Sequence, residues 1–161
     1  MMYEIVVRCV LKEPITSRYV LMLETVDKNT LIPIYVGVFE AEAIYTELNN
    51  IRPPRPMTFD FITSIISALK GIEVEKIVIY DVDENCIYKS NIVLVHNNDK
   101  IEIDCRPSDA LALGLRLNTP IYVEEVVLKN DRCIPKNLME KEDRKVIENI
   151  IEDQETAYWN I

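Results

Sequence analysis

The chain has 161 residues, a formal net charge of −9 and 48% hydrophobic residues. This length is typical of one domain, and a chain near this size buries about 70% of its unfolded surface, which is enough for a sizeable core. The apolar content and the low counts of Gly and Pro, 3 and 8, exclude extended disorder. No apolar run approaches the roughly 20 residues of a membrane span, and the first residues lack a leader pattern, so we expect a cytoplasmic protein.

The charged and metal-binding residue types argue against two further properties, non-specific nucleic-acid binding and a structural zinc site. The 27 Asp and Glu residues outnumber the 18 Lys and Arg residues, which argues against tight non-specific binding to nucleic-acid phosphates. The four cysteines form no CxxC pair, and His96 is the only histidine. A structural zinc site needs clustered thiolate and imidazole ligands, so we interpret the cysteines as reduced core residues.

The first 71 residues predict three strands followed by two helices. Runs rich in Val, Ile and Tyr predict strands, the last two forming a hairpin, over Met2–Lys12, Tyr19–Val26 and Leu31–Val36. Helical spacing predicts helices over Val38–Asn50 and Thr58–Lys70, separated by a proline-rich loop that cannot continue a helix. Thr58 is the expected N-cap of the second helix. The stripe of that helix predicted to be buried comprises Ile62, Ile65, Ile66 and Leu69.

The remaining residues predict four more strands and two more helices. The strands are expected, the first two as a hairpin, over Ile72–Val82, Cys86–His96, Ile101–Cys105 and Ile121–Leu128. A helix over Asp109–Asn118 is apolar nearly all round, which indicates that it is buried, and Gly114 within it indicates a close neighbour. A capping-box pattern at residues 137–140 predicts the start of a final amphipathic helix.

These elements predict a mixed α/β fold with two parts. Residues 1–130 are expected to form one compact domain, in which helices pack on a mostly antiparallel sheet. Residues 131–161 are expected to form an acidic C-terminal helical tail, because residues 139–161 carry 7 acids against 3 basic residues.

A weak internal echo relates two of the predicted helices. Glu40 and Asp109 each follow an Ile-x-Ile strand and each precede a Leu-Asn pair by the same spacing. The echo predicts two strand–turn–helix units, each with a carboxylate in the first turn of its helix.

Two similar segments are candidates for the functional chemistry. Each sets an Arg before a Pro, then a hydroxyl group and an acid at a helix start, in Arg55–Asp60 and in Asp104–Asp109. A helix start has free N–H groups and partial positive charge, and an Arg adds a planar fork that matches phosphate. The predicted substrate-binding residues are therefore Arg55, Arg106, Thr58 and Ser108.

Carboxylates near the same helix starts are candidates for holding a divalent cation, since hard cations prefer oxygen ligands. The predicted metal ligands and catalytic acids are Asp60, Asp104 and Asp109, with Glu40 as a fourth catalytic acid. Mg²⁺ or Mn²⁺ would activate water while an Arg stabilises charge on the phosphate, a combination that cleaves phosphodiester bonds. This interpretation requires both helix starts to face one cleft. The alternative is that the acids only stabilise the helices and pair with the arginines.

At these residues the chain resembles the bifunctional nuclease domain family. The shared stretches, in the family's order and spacing, are Ile32–Gly37 with Glu40-Ala41, Arg55–Asp60, Ile103–Leu113 and Pro120–Val123. The most specific of them is the Asp-x-Arg-Pro-Ser-Asp-Ala pattern at residues 104–110. The chain departs from the family at Phe59, where relatives usually have a histidine, so the carboxylates are left as the available metal ligands.

The resemblance implies a mixed α/β domain that associates with itself as a homo-oligomer, and a nuclease that acts on DNA and RNA. The alternative is a noncatalytic oligomeric module that binds an anionic ligand or a protein partner through the same helix starts. Carboxylates that converge on one point would favour the nuclease, and carboxylates that each form an ion pair with an Arg would favour the module.

Overall fold

The computed structural model describes residues 1–156, with side chains for residues 1–153. Eight strands of these residues form a single mixed sheet. The strands are β1 (Met2–Lys12), β2 (Tyr19–Thr25), β3 (Thr30–Val36), β4 (Ile72–Val82), β5 (Tyr88–His96), β6 (Asp99–Cys105), β7 (Ile121–Glu124) and β8 (Ile134–Pro135). The helices are α1 (Val38–Leu48), α2 (Thr58–Ala68), α3 (Pro107–Leu117), α4 (Glu125–Leu128) and α5 (Lys141–Thr156).

The sheet joins two antiparallel halves through one short strand. Its strand order is β6-β5-β4-β7-β1-β2-β3-β8, and β7 pairs parallel to β4 but antiparallel to β1. Every other neighbouring pair is antiparallel. The mixed, mostly antiparallel sheet with packed helices and a C-terminal helix, predicted from the sequence, is confirmed.

The two faces of the sheet carry different helices. In β2, Leu21 and Leu23 join the core formed with α1 and α3, whereas Met22 points to the opposite face, because side chains alternate along a strand. On that opposite face Met22 packs with Leu31 and with Ile151 of α5. Most residues of α3 are buried, as its all-round apolar sequence predicted.

Four local predictions are wrong. The capping-box pattern at residues 137–140 does not start the final helix, because Asn137 lies in a short 3₁₀ helix, Lys136–Leu138, and α5 begins at Lys141. The strand predicted over Ile121–Leu128 ends at Glu124, and residues Glu125–Leu128 form the short helix α4 instead. Met57, rather than Thr58, is the N-cap of α2. The predicted buried stripe of α2 is only partly covered, because α2 lies outermost and packs on α3. In that stripe Ile65 and Leu69 are exposed.

Gly114 lies where α3 approaches β4 most closely. A Cβ at this position would lie 2.2 Å from Cδ1 of Ile77, a fully buried side chain. Alanine is the better helix former by about 1 kcal/mol, but overpacking costs about 1–3 kcal/mol, so we expect Gly114→Ala to lower the free energy of unfolding. Urea titration followed by circular dichroism measures the change. Ile77→Val removes the clashing methyl group, so the double variant should be more stable than Gly114→Ala alone; equal stability would contradict the steric explanation.

Residues beyond 130 add to the sheet as well as forming α5. β8 pairs with Thr30 and Leu31 of β3, and the side chain of Lys136 is buried against Glu24 of β2. The division of the chain at residue 130 stays a prediction. No helix within the described part of the chain is long and apolar enough to cross a membrane.

Candidate functional site

Three charged side chains meet at the start of α3, around its N-cap residue Arg106. Its Nε and Nη2 atoms donate to the two carboxylate oxygens of Asp109, at 2.8 and 3.0 Å. The same Nη2 donates to Oε1 of Glu40 at 2.9 Å, so one nitrogen is shared by two carboxylates. The side chain of Arg106 is 67% exposed. The guanidinium is therefore held in place by charge and remains accessible from solvent.

Local structure explains why these three residues meet. Pro107 is the first residue of α3, where its missing N–H is no loss, and it keeps Arg106 outside the helix. α1 begins after Gly37 and carries Glu40 in its first turn, as α3 carries Asp109. α1 and α3 begin at the same end of the molecule, so both first-turn acids reach Arg106. The internal echo thus marked two helices whose acids share one partner.

A cavity of about 250 Å³ opens beside Arg106. Its walls come from the end of β3, the turn between β4 and β5, the start of α3 and the segment after α4. The polar and aromatic residues among its lining are Tyr35, Tyr88, Arg106, Ser108 and Arg132. Arg132 forms no ion pair with any residue that the structure describes. Two guanidinium groups, a hydroxyl and a helix start therefore border one cavity in a chain of net charge −9.

The aromatic residues of the cavity are fixed by their own partners. The Tyr88 hydroxyl donates to the carbonyl oxygen of Pro33 at 3.3 Å. Burial raises the pKa of Tyr88 to about 12, so this hydroxyl keeps its proton at neutral pH. The guanidinium of Arg18 lies 4.2 Å from the ring centroid of Tyr35, within cation–π distance. Arg18 thus brings a third positive charge near the cavity.

The second predicted helix start lies elsewhere. Asp60 in the first turn of α2 accepts hydrogen bonds from Nε of Arg116 at 2.7 Å and from the backbone N–H of Met57 at 2.9 Å. Arg116 is in the last turn of α3, about 15 Å along the helix axis from Arg106. Burial raises the pKa of Asp60, but the hydrogen bonds from Arg116 and the Met57 N–H and the charges of Arg116 and Arg52 together outweigh it, so the pKa lies below its ordinary value. The expectation that the two helix starts face one cleft is wrong.

The other predicted site residues are also dispersed. Arg55 and Thr58 are exposed near the start of α2, and Arg55 makes no ion pair with a described residue. Asp104 faces a separate cavity of about 580 Å³ on the sheet, where its nearest polar partner is the hydroxyl of Tyr80 at 3.4 Å. Among side chains of residues 1–153, no three His, Cys, Asp or Glu groups are placed to hold a metal ion together. Of the four predicted acids, only Glu40 and Asp109 meet.

Phe59, at the family's histidine position, packs against the core beneath Arg116. It therefore lies at the Asp60 end of α3, and its lack of an ionisable group does not alter the cavity at Arg106.

Sequence reasoning missed Arg132, Arg18 and the two tyrosines. Arg132 lies in the short segment between α4 and β8, with no motif around it. The signal that was available is a local excess of positive charge in an acidic chain, because residues 129–136 contain Lys129, Arg132 and Lys136 but a single acid, Asp131.

Comparison with known proteins agrees with the resemblance seen in the motifs. The family model described as the bifunctional nuclease domain matches residues 21–136. The chain belongs to the bifunctional nuclease domain family. The match includes α1, the Arg106 segment of α3 and Arg132, so all the walls of the cavity lie inside the family domain.

Two relatives from Mycobacterium tuberculosis have names that state no activity. They are the uncharacterized protein MT1877 of strain CDC 1551 / Oshkosh and the uncharacterized protein Rv1829 of strain ATCC 25618 / H37Rv. Each is 39% identical over 109 residues, which is 68% of this chain and 63% of the relative. The match therefore spans less than two thirds of either relative's length.

Proposed function

We propose that the chain is a nuclease that binds a phosphate of DNA or RNA in the Arg106 cavity and hydrolyses the phosphodiester bond there. The observation that carries the proposal is the pair of arginines, Arg106 and Arg132, on one 250 Å³ cavity of a strongly acidic chain. Membership of the bifunctional nuclease domain family supports the same reaction class.

The cavity offers the donors that a phosphate diester needs. Arg106 presents a planar fork, which matches two phosphate oxygens, and Arg132 adds a second positive charge. The start of α3 contributes partial positive charge and the N–H of Ser108 in its first turn. In the transition state negative charge grows on the phosphate oxygens, so fixed guanidinium groups stabilise it more than they stabilise the substrate.

Glu40 and Asp109 are suitable ligands for a hard cation bound next to the substrate phosphate. Both carboxylates already point at one positively charged nitrogen of Arg106. These two carboxylates would hold the cation beside the phosphate, because Mg²⁺ is usually held by one or two carboxylates plus phosphate and water oxygens. A divalent cation held by Glu40 and Asp109 would lower the pKa of a water molecule and neutralise charge on the phosphate.

A second candidate function is a noncatalytic module that binds an anionic ligand in the same cavity. The ion pairs of the acids favour this function, because Glu40 and Asp109 both pair with Arg106 and Asp60 pairs with Arg116. In this case Arg106 and Arg132 bind the anion, and both acids serve only to position Arg106.

Cleavage of single-stranded DNA and RNA with Mg²⁺ or Mn²⁺ distinguishes the two functions. We expect cleavage that a chelator abolishes and that Asp109→Asn lowers by about 10²-fold, because the variant loses one of two cation ligands. Asp60→Asn is the matched control, since it makes the same change in the first turn of another helix that also pairs with an Arg. It should leave the rate within about twofold once both variants are shown to be folded.

Three outcomes would contradict the proposal of a nuclease site in the Arg106 cavity. Cleavage that survives both the chelator and Asp109→Asn would belong to a contaminant. Equal losses in Asp60→Asn and Asp109→Asn would place the chemistry outside the Arg106 cavity. Binding of an oligonucleotide without cleavage under any cation would support the module.

A further inference from the structure

The Arg106 cavity has aromatic and apolar side chains at its rim that phosphate binding does not use. Tyr35 and Ile87 line the cavity and are exposed. Phe39 lies two residues after Gly37, another lining residue, and is 79% exposed. Single exposed apolar side chains are common on protein surfaces, whereas apolar side chains grouped around a cavity with polar walls mark a ligand-binding site.

The backbone at Phe39 is anchored to Arg106 through the adjacent Glu40. Phe39 and Glu40 are consecutive in the first turn of α1, so their Cα atoms lie about 3.8 Å apart. Oε1 of Glu40 accepts a hydrogen bond from Nη2 of Arg106 at 2.9 Å. Of the three phenylalanines, Phe59 packs against the core, whereas Phe39 and Phe61 are exposed. The Phe39 ring therefore has most of its surface open to solvent near the cavity.

Tyr35 offers a second aromatic surface, beside an arginine. The guanidinium of Arg18 lies 4.2 Å from the Tyr35 ring centroid. Unpaired nucleobases stack on aromatic rings and on the plane of an arginine guanidinium. Proteins that bind single strands combine such surfaces with cationic groups that bind the phosphate backbone. Exposed rings at Phe39 and Tyr35, next to Arg106 and Arg132, form this combination.

We propose that Phe39 and Tyr35 stack the unpaired bases that flank the phosphate bound at Arg106, so that the site selects single-stranded DNA and RNA over duplexes. In a duplex each base is stacked between its neighbours and its face is closed to a side chain, whereas a single strand offers that face. Every base of DNA and RNA has such a face, so stacking tolerates both kinds of strand and all sequences. The inference rests on the proposed phosphate site at Arg106.

Three ligands of equal length test the stacking. They are a single-stranded oligothymidylate, the same strand annealed to its complement, and an abasic strand that keeps the phosphates but has no bases. Fluorescence anisotropy in the presence of a chelator measures their affinities without cleavage. The wild type should bind oligothymidylate more tightly than the duplex and about tenfold more tightly than the abasic strand, the usual gain from a base stacked on an aromatic side chain.

Phe39→Ala should weaken the binding of oligothymidylate by about tenfold and leave the binding of the abasic strand within about twofold of the wild type. Phe39→Trp keeps an aromatic ring and should bind both ligands as the wild type does. Phe61→Ala is the matched control, because Phe61 is 61% exposed in α2, where the first-turn acid Asp60 pairs with Arg116. It should leave both affinities unchanged.

The results separate the stacking from the phosphate site. Phe39→Ala that binds oligothymidylate as the wild type does, or that loses the abasic strand equally, overturns the stacking alone, and so does a duplex bound as tightly as the single strand. Arg106→Gln should weaken both strands; if it weakens neither, the phosphate site is wrong and the inference falls with it. The expected affinities without cleavage on adding Mg²⁺ or Mn²⁺ would support the stacking and contradict only the hydrolysis.

Discussion

Arg106→Gln is expected to lower the rate of single-stranded DNA and RNA cleavage by about 10²–10³-fold, the usual loss when one donor to a transition-state oxyanion is removed. Arg106 lines the cavity and donates hydrogen bonds to both Glu40 and Asp109. Its removal therefore takes away the phosphate fork and the partner that aligns the two acids. Initial rates at low substrate concentration, in the presence of Mg²⁺ or Mn²⁺, measure the effect.

Arg55→Gln is the matched control for that experiment, because Arg55 also precedes a proline and a helix start but lies outside the cavity. Its cleavage rate should stay within about twofold of the wild type. The ion pairs of Arg106 are exposed, so we expect Arg106→Gln to change the free energy of unfolding by no more than about 1 kcal/mol. A comparable loss of activity in both variants would contradict a site restricted to the Arg106 cavity.

Lys136→Met is expected to lower the free energy of unfolding by about 3–5 kcal/mol, the usual cost of removing one partner from a buried ion pair. Nζ of Lys136 donates to Oε1 of Glu24 at 2.6 Å and also contacts Glu148 of α5. Glu24 is 1% exposed and has Arg8 as its other cationic partner. Urea titration at neutral pH measures the loss. The double variant Glu24→Gln with Lys136→Met removes both charges, so it should be more stable than Lys136→Met alone.

The same cluster gives the fold a dependence on pH. Burial raises the pKa of Glu24, but hydrogen bonds from Lys136 and Arg8 outweigh it, and the pKa lies below its ordinary value of 4.5. A lowered carboxyl pKa contributes stability above pH 4.5, and that contribution is lost as the pH falls through the folded-state value. The loss of stability on acidification should therefore be smaller in the Glu24→Gln, Lys136→Met double variant than in the wild type. An equal loss in both proteins would assign the acid sensitivity to other carboxylates.

Elements with a strong periodic pattern were predictable from the sequence. β1 and β4 begin and end at the predicted residues, and α3 is buried as its apolar surface indicated. Features that depend on tertiary contacts were not predictable. β7 ends at Glu124, where α4 begins, and α2 is exposed on part of its apolar stripe because it packs on the outer side of α3.

The contacts of the candidate site were likewise only partly predictable from the sequence. The Asp104–Asp109 motif identified Arg106 and Asp109 as neighbours, because three residues bring side chains together across the first turn of a helix. Which acid meets which arginine over longer separations depends on how α1, α2 and α3 are oriented. Glu40 reaches Arg106 because α1 and α3 begin at the same end, and Asp60 reaches Arg116 because α2 begins at the other.

The sequence by itself determined the family, the α/β class and an arginine with an acid at a helix start. Those features depend on local spacing along the chain, which residue order specifies directly. Only the tertiary structure decided that Arg132 joins Arg106 at one cavity and that the four acids do not form one cluster. Contacts between residues distant in sequence depend on the packing directions of whole helices and strands, and no local pattern records those directions.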